Sequence, residues 1–134
     1  MTDDRLTLLA RDSADLPVMS AVLQDAIVRA GDVGWDRRGR RLALLVSRYR
    51  WESEAPSRVR SALRIETAFR VERKHWPRDP ESILALLSVT AEGDRITLAF
   101  ADGISLRAEI ECLDALLEDL AAPWPVRYRP DHGG

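Results

Sequence analysis

The clearest pattern in the chain is an alternation from Val59 to Arg73. Val59, Leu63, Ile65, Phe69 and Val71 are odd-numbered, whereas Arg60, Arg64, Glu66, Arg70 and Glu72 are even. Period two over such a span marks a strand with one buried and one wet face. A strand this long usually bends, so a bulge or a split between two sheets is expected. Residues 41 to 52 predict a partner strand: an apolar run from Leu42 to Val46, then Tyr49 and Trp51 on one face with Arg48 and Arg50 on the other. Pairing the two as a hairpin with 50 opposite 60 and 48 opposite 62 would gather Arg48, Arg50, Arg60 and Arg64 on the solvent face. Arg37, Arg38, Arg40 and Arg41 would then crowd the opposite turn.

Further along, Ile83 to Ala91 is an apolar strand. Ile96, Leu98 and Phe100 alternate, as do Ile104, Leu106, Ala108 and Ile110. Directly opposed residues in a hairpin share a face. Phe100 and Ile104 should therefore be opposed across a three-residue loop, 101 to 103, with Gly103 left-handed. A two-residue turn at Glu92-Gly93 would set Val89 against Ile96. Together these segments predict a three-strand meander.

Helical spacing appears twice. After a short first strand in residues 5 to 11, Leu16, Met19, Leu23 and Ala26 fall on one helix face, and Pro17 suits a first turn. Near the C-terminus, Leu113, Leu116, Leu117 and Leu120 form an apolar stripe that Pro123 would end, which predicts a closing helix. The expected fold is therefore α+β. It is a strongly bent antiparallel sheet or partly open barrel of about seven strands, with one helix after the first strand and one at the C-terminus. That arrangement resembles the pleckstrin-homology-like barrel; the alternative is a two-layer sandwich of one antiparallel sheet with both helices on one face. One domain over residues 1–134 is expected, with 125–134 a loosely ordered tail.

Charge is unevenly spread. Residues 36 to 74 carry twelve Arg or Lys against five Asp or Glu, while the flanks are acidic, within an overall formal charge of −2. No run approaches the ~18 apolar residues of a membrane span, and the acidic start has no apolar stretch after it, so a cytoplasmic protein is expected. A lone Cys112 gives no internal disulfide.

Three stretches carry a family likeness: Leu23-Gln24-Asp25-Ala26 leading to Gly31-Asp32-Val33-Gly34-Trp35; Arg48-Tyr49-Arg50-Trp51-Glu52; and Glu111-Cys112-Leu113-Asp114 with Trp124 and Pro130. In order and spacing they resemble a family of small bacterial proteins known only as a domain of unknown function. The resemblance implies one compact bacterial domain and brings no activity, cofactor or catalytic residue.

Little in the chain points to chemistry. His75 and His132 are the only histidines, and no metal-ligand spacing is visible, so no metal, cofactor or catalytic residue is assigned. Cys112, among acidic neighbours, reads as a buried structural thiol. The expected function is a non-catalytic binding module. It would use the arginine face (Arg48, Arg50, Arg60, Arg64) or a Trp-lined edge (Trp35, Trp51, with Asp32) to hold a protein or an anionic ligand. One alternative is a small-molecule binder or enzyme with a pocket near Asp25, Asp32, Trp35 and Trp51. A second is nucleic-acid binding through the arginine strip.

Overall fold

The structure is a computed structural model that describes residues 5–126 and 130. Residues 127–129 and 131–134, most of the expected tail, lie outside the described residues. The strands are β1 (Thr7–Ala10), β2 (Ala26–Arg29), β3 (Val33–Asp36), β4 (Arg41–Tyr49), β5 (Ser57–Ile65), β6 (Ala68–Lys74), β7 (Ile83–Glu92), β8 (Arg95–Phe100), β9 (Ser105–Ile110), β10 (Ala115–Asp119) and β11 (Trp124–Pro125); α1 is Leu16–Val22. They form one antiparallel sheet in the order β1-β10-β5-β4-β2-β7-β8-β9-β6, with β11 on β5 and β3 on β4.

This corrects the expected architecture. There are eleven strands, not about seven, and one α-helix among the described residues, not two. The C-terminal helix needed by both the pleckstrin-homology-like arrangement and the two-helix sandwich is replaced by β10. Its residues pair on both sides, Leu117 with Leu8 of β1 and Leu63 of β5. Two backbone ladders, and burial of Ala115, Leu117 and Asp119 on one face, outweigh the weak helical preference of a Leu-rich stretch.

The first helix starts where the spacing places it but ends at Val22, about one turn early. Pro17 occupies its first turn, and Leu16, Met19, Leu23 and Ala26 are all buried, although the last two lie beyond its C-terminal end. The segment 59–73 is two strands. The chain turns at Glu66-Thr67, where Thr67 is left-handed (φ 59°), and β6 then pairs with β9 instead of continuing beside β4. A one-residue bulge between Ala68 and Arg70 turns Phe69 outward, 45% exposed, against the expectation that it is buried. A second bulge between Leu86 and Ser88 leaves Leu87 exposed.

The meander β7–β8–β9 is present. Phe100 donates its N–H to the Ile104 carbonyl at 2.8 Å, and Gly103 (φ 73°) and Asp102 (φ 66°) are left-handed, so the loop is 101–103 as read. The earlier turn is shifted by one residue. Glu92 opposes Arg95, the turn is Gly93-Asp94, and Val89 faces Leu98 instead of Ile96.

β5 lies inside the sheet order and β6 at its edge, yet only two residues separate them in sequence. The sheet must therefore curl until β6 returns to the start of β4. The Ala68 N–H donates to the Arg40 carbonyl at 2.8 Å across this meeting point. The inner faces enclose one apolar core that includes Leu44, Leu63, Leu86, Leu98 and Leu106. Among the described residues, no helix is long and apolar enough to cross a membrane.

Candidate functional site

The expected arginine cluster does not assemble. Ser47, not Arg50, opposes Arg60, and Arg48 opposes Val59. In a period-two structure an odd slip in register exchanges the faces. Arg48 follows Leu42, Leu44 and Val46 onto the inner face and is fully buried. There its Nε and Nη2 donate to Asp119 Oδ1 (2.9 Å) and Oδ2 (2.8 Å), and its Nη1 and Nη2 to Glu52 Oε1 (3.0 Å) and Oε2 (2.7 Å). Asp119 also accepts from Ser61 Oγ (2.6 Å) and the Leu6 N–H (2.8 Å). Burial alone would lower the Arg48 pKa and raise that of Asp119. The hydrogen bonds and mutual charge overcome it, so Arg48 is held above and Asp119 below its ordinary value. This is an internal clamp joining β4, β5, β10 and the residue before β1.

Arg50 is half-buried beyond the end of β4 and donates to Ser57 Oγ at 3.1 Å. Arg58, Arg60 and Arg64 occupy the outer face of β5, where Arg60 is 56% exposed and Arg64 half-buried. Arg40 and Arg41 are paired with Glu111 and Glu66. Asp32 receives the Arg29 guanidinium at 2.8 Å, which holds its carboxyl below the usual range, and lies 3.8 Å from Arg60. Around Arg60, Asp32 and Arg29 the exposed side chains of Ile27, Leu45, Ile83 and Trp124 converge on a shallow hollow.

The two tryptophans expected to share an edge stand apart. Trp35 opposes Leu42 near the start of β4. Trp51 lies past its far end, about 30 Å along at ~3.3 Å per residue. Trp51 packs edge-on to Tyr49 (4.7 Å) and its Nε1 donates to the Gln24 carbonyl at 3.1 Å, beside Asp25. The expected pocket of Asp25, Asp32, Trp35 and Trp51 is therefore not a single place. Cys112 is exposed, not buried.

Trp35 stands at the seam of the curled sheet. Neither β3 nor β6 has a ladder to the other, and the indole bridges them by donating Nε1–H to the Ala68 carbonyl at 3.0 Å. Beside this bridge is a hollow of about 330 Å³ lined by Val33, Trp35, Leu42, Val71, Arg73 and Leu106. Leu42 and Leu106 are fully buried, Val33, Trp35 and Val71 half-buried, and Arg73 exposed. Arg73 opposes Leu106 across the β6–β9 ladder, so it springs from the inner face of β6. The Arg37 guanidinium lies 6.0 Å over the Trp35 ring. Among the described residues neither Arg37 nor Arg73 has a carboxylate partner within 4 Å. Reading the sequence singled out Trp35 but missed Arg73. Its signal was parity, since 73 is odd like Val71 and therefore lies on the apolar side of the alternation.

Among the described residues no group of three or more His, Cys, Asp or Glu could hold a metal ion. The geometry thus defines a curled, open antiparallel sheet with a hollow at its seam lined by apolar side chains and Arg73. The family model described as Protein of unknown function (DUF2948) matches residues 6–132, and the chain belongs to that family. No curated protein and no solved structure matches it.

Proposed function

We propose that this domain is a non-catalytic binding module whose site is the Trp35 hollow between β3 and β6. One observation carries the reading: a recess walled by apolar side chains and strand-edge backbone opens where two strand edges meet without a ladder, and a cation without a carboxylate partner lines it. Small-ligand sites have this make-up, with apolar walls and few polar groups to fix orientation. A nuclear magnetic resonance titration with 2-naphthol tests it. Saturable shifts confined to the Trp35 Nε1–H and the Val71 and Leu106 methyls are expected, and Val71→Trp, which fills the hollow, should remove them. Shifts that are absent, scattered, or unchanged in Val71→Trp refute the reading.

The outer face favours a second reading, a protein partner. Ile27, Leu45, Ile83 and Trp124 are exposed around Arg60, and exposed apolar clusters centred on Trp and Arg are the usual anchors of interfaces. Paired pull-downs of wild type and Ile83→Glu/Trp124→Ala decide it; identical partners recovered by both dismiss it. A nucleic-acid partner would need the basic strip, in which Arg40, Arg41 and Arg48 are already engaged by Glu111, Glu66 and Asp119. Its test is a filter-binding titration at low salt.

A further inference from the structure

We infer that the ligand of the seam hollow is a small amphipathic monocarboxylate, with its hydrocarbon body inside and its carboxylate on Arg73. The inference rests on the hollow being the binding site, and it adds the ligand's chemical class.

Size comes first. A hollow of about 330 Å³ lies at the lower end of the range of small-ligand sites. Polarity comes next. The walls are Val33, Leu42, Val71, Leu106 and the indole of Trp35. The one polar hydrogen of that indole is already spent on the Ala68 carbonyl at 3.0 Å, so Trp35 offers the hollow only its ring. Apart from Arg73, the side chains lining the hollow offer a polar ligand group no free partner; the remaining polar surface there is backbone. A hydrocarbon body suits the apolar side chains of the lining, and the polar end belongs beside Arg73.

The lining selects the sign of that end. Among the described residues, Arg73 is the only charged one lining the hollow. The nearest acid in sequence, Glu72, alternates to the outer face and is held there by Arg70 at 2.9 Å. Asp36 also alternates away from Trp35, and its Oδ1 accepts the Gly39 N–H at 3.0 Å. A guanidinium presents a planar fork that matches a carboxylate with two parallel N–H···O bonds. A cationic head would face the like charge of Arg73, and a neutral amide would forgo the charge-assisted bonds.

The experiment is calorimetric titration of the full chain with octanoate, octanamide and octylamine, each below its micelle concentration, in wild type and Arg73→Gln. Arg73 is exposed, so the variant should fold, and an unchanged ligand-free melting midpoint checks that it does. Octanoate should bind one to one. Octanamide should bind about ten- to hundredfold more weakly, the worth of a hydrogen bond to a charged group. Octylamine should bind more weakly still. In Arg73→Gln octanoate should fall to the level of octanamide, with octanamide unchanged. Equal binding of octanoate and octanamide, or an octanoate affinity indifferent to Arg73→Gln, overturns the carboxylate assignment and leaves the hollow as a site. Failure of all three probes while 2-naphthol still binds in a Val71→Trp-sensitive way does the same. Failure of 2-naphthol as well overturns both readings.

Discussion

Replacing Arg48 with Met should be the most damaging single change among the polar residues, and it should invert the pH dependence of stability. Met keeps much of the side-chain bulk and removes the charge. Asp119, whose side chain is 1% exposed, then keeps Ser61 Oγ and the Leu6 N–H but loses both bonds to the guanidinium. Removing one partner of a buried ion pair costs about 3–5 kcal/mol, because the other charge stays buried and uncompensated. A domain of this size is stable by only about 5–15 kcal/mol, so the loss is a large fraction of the whole. In the wild type the Asp119 carboxyl titrates below its ordinary 3.8. Above pH 3.8 its contribution to stability is fully present, and it is lost as pH falls through the lower native value. Without Arg48, burial is left to act on Asp119 against two neutral donors, and its native pKa should rise above the unfolded one. The native state then binds more protons than the unfolded state, so stability increases as pH is lowered from 7 towards 5. Urea unfolding followed by tryptophan fluorescence at pH 7 and pH 5 measures both quantities. A loss under about 1 kcal/mol, or a variant whose stability does not rise on acidification, would refute the idea that this clamp holds β10 to β4.

Three further outcomes follow from single positions. Gly93 is left-handed (φ 59°) with open space around its Cα, so Gly93→Ala should cost about 1 kcal/mol from backbone strain alone and Gly93→Asn less, as read by denaturant midpoints. Trp35→Phe deletes the bond to the Ala68 carbonyl, and should cost about 1–3 kcal/mol and speed amide hydrogen exchange in β6 more than in β8. Cys112 is exposed and should react with a thiol reagent in the native protein at close to the unfolded rate; protection until unfolding would contradict the placement of the 111–114 segment.

Parts of the fold whose cause is local are legible along the chain. Alternation and turn chemistry in residues 83–110 were enough for the β7–β8–β9 meander and its 101–103 loop. A 3.6-residue spacing with Pro17 was enough for the buried face of α1. Candidate side chains were legible as types, and Trp35 at a strand edge was among them. The remainder depends on contacts between segments far apart in the chain. Residues 113–120 fit a helix by spacing, and β10 exists because β1 and β5 offer it two ladders and Arg48 offers Asp119 a buried counter-charge. No local signal announces partners about 50 and 70 positions away in the chain. The register of β4 on β5 hinged on one choice, whether Arg48 follows the even apolar residues inward. Because side chains alternate every residue, that choice moved an arginine from the supposed binding face into the core. The hollow at the seam is likewise a product of closure. Val33, Trp35, Val71, Arg73 and Leu106 meet only because a sheet that leaves β5 through β6 must curl back on itself.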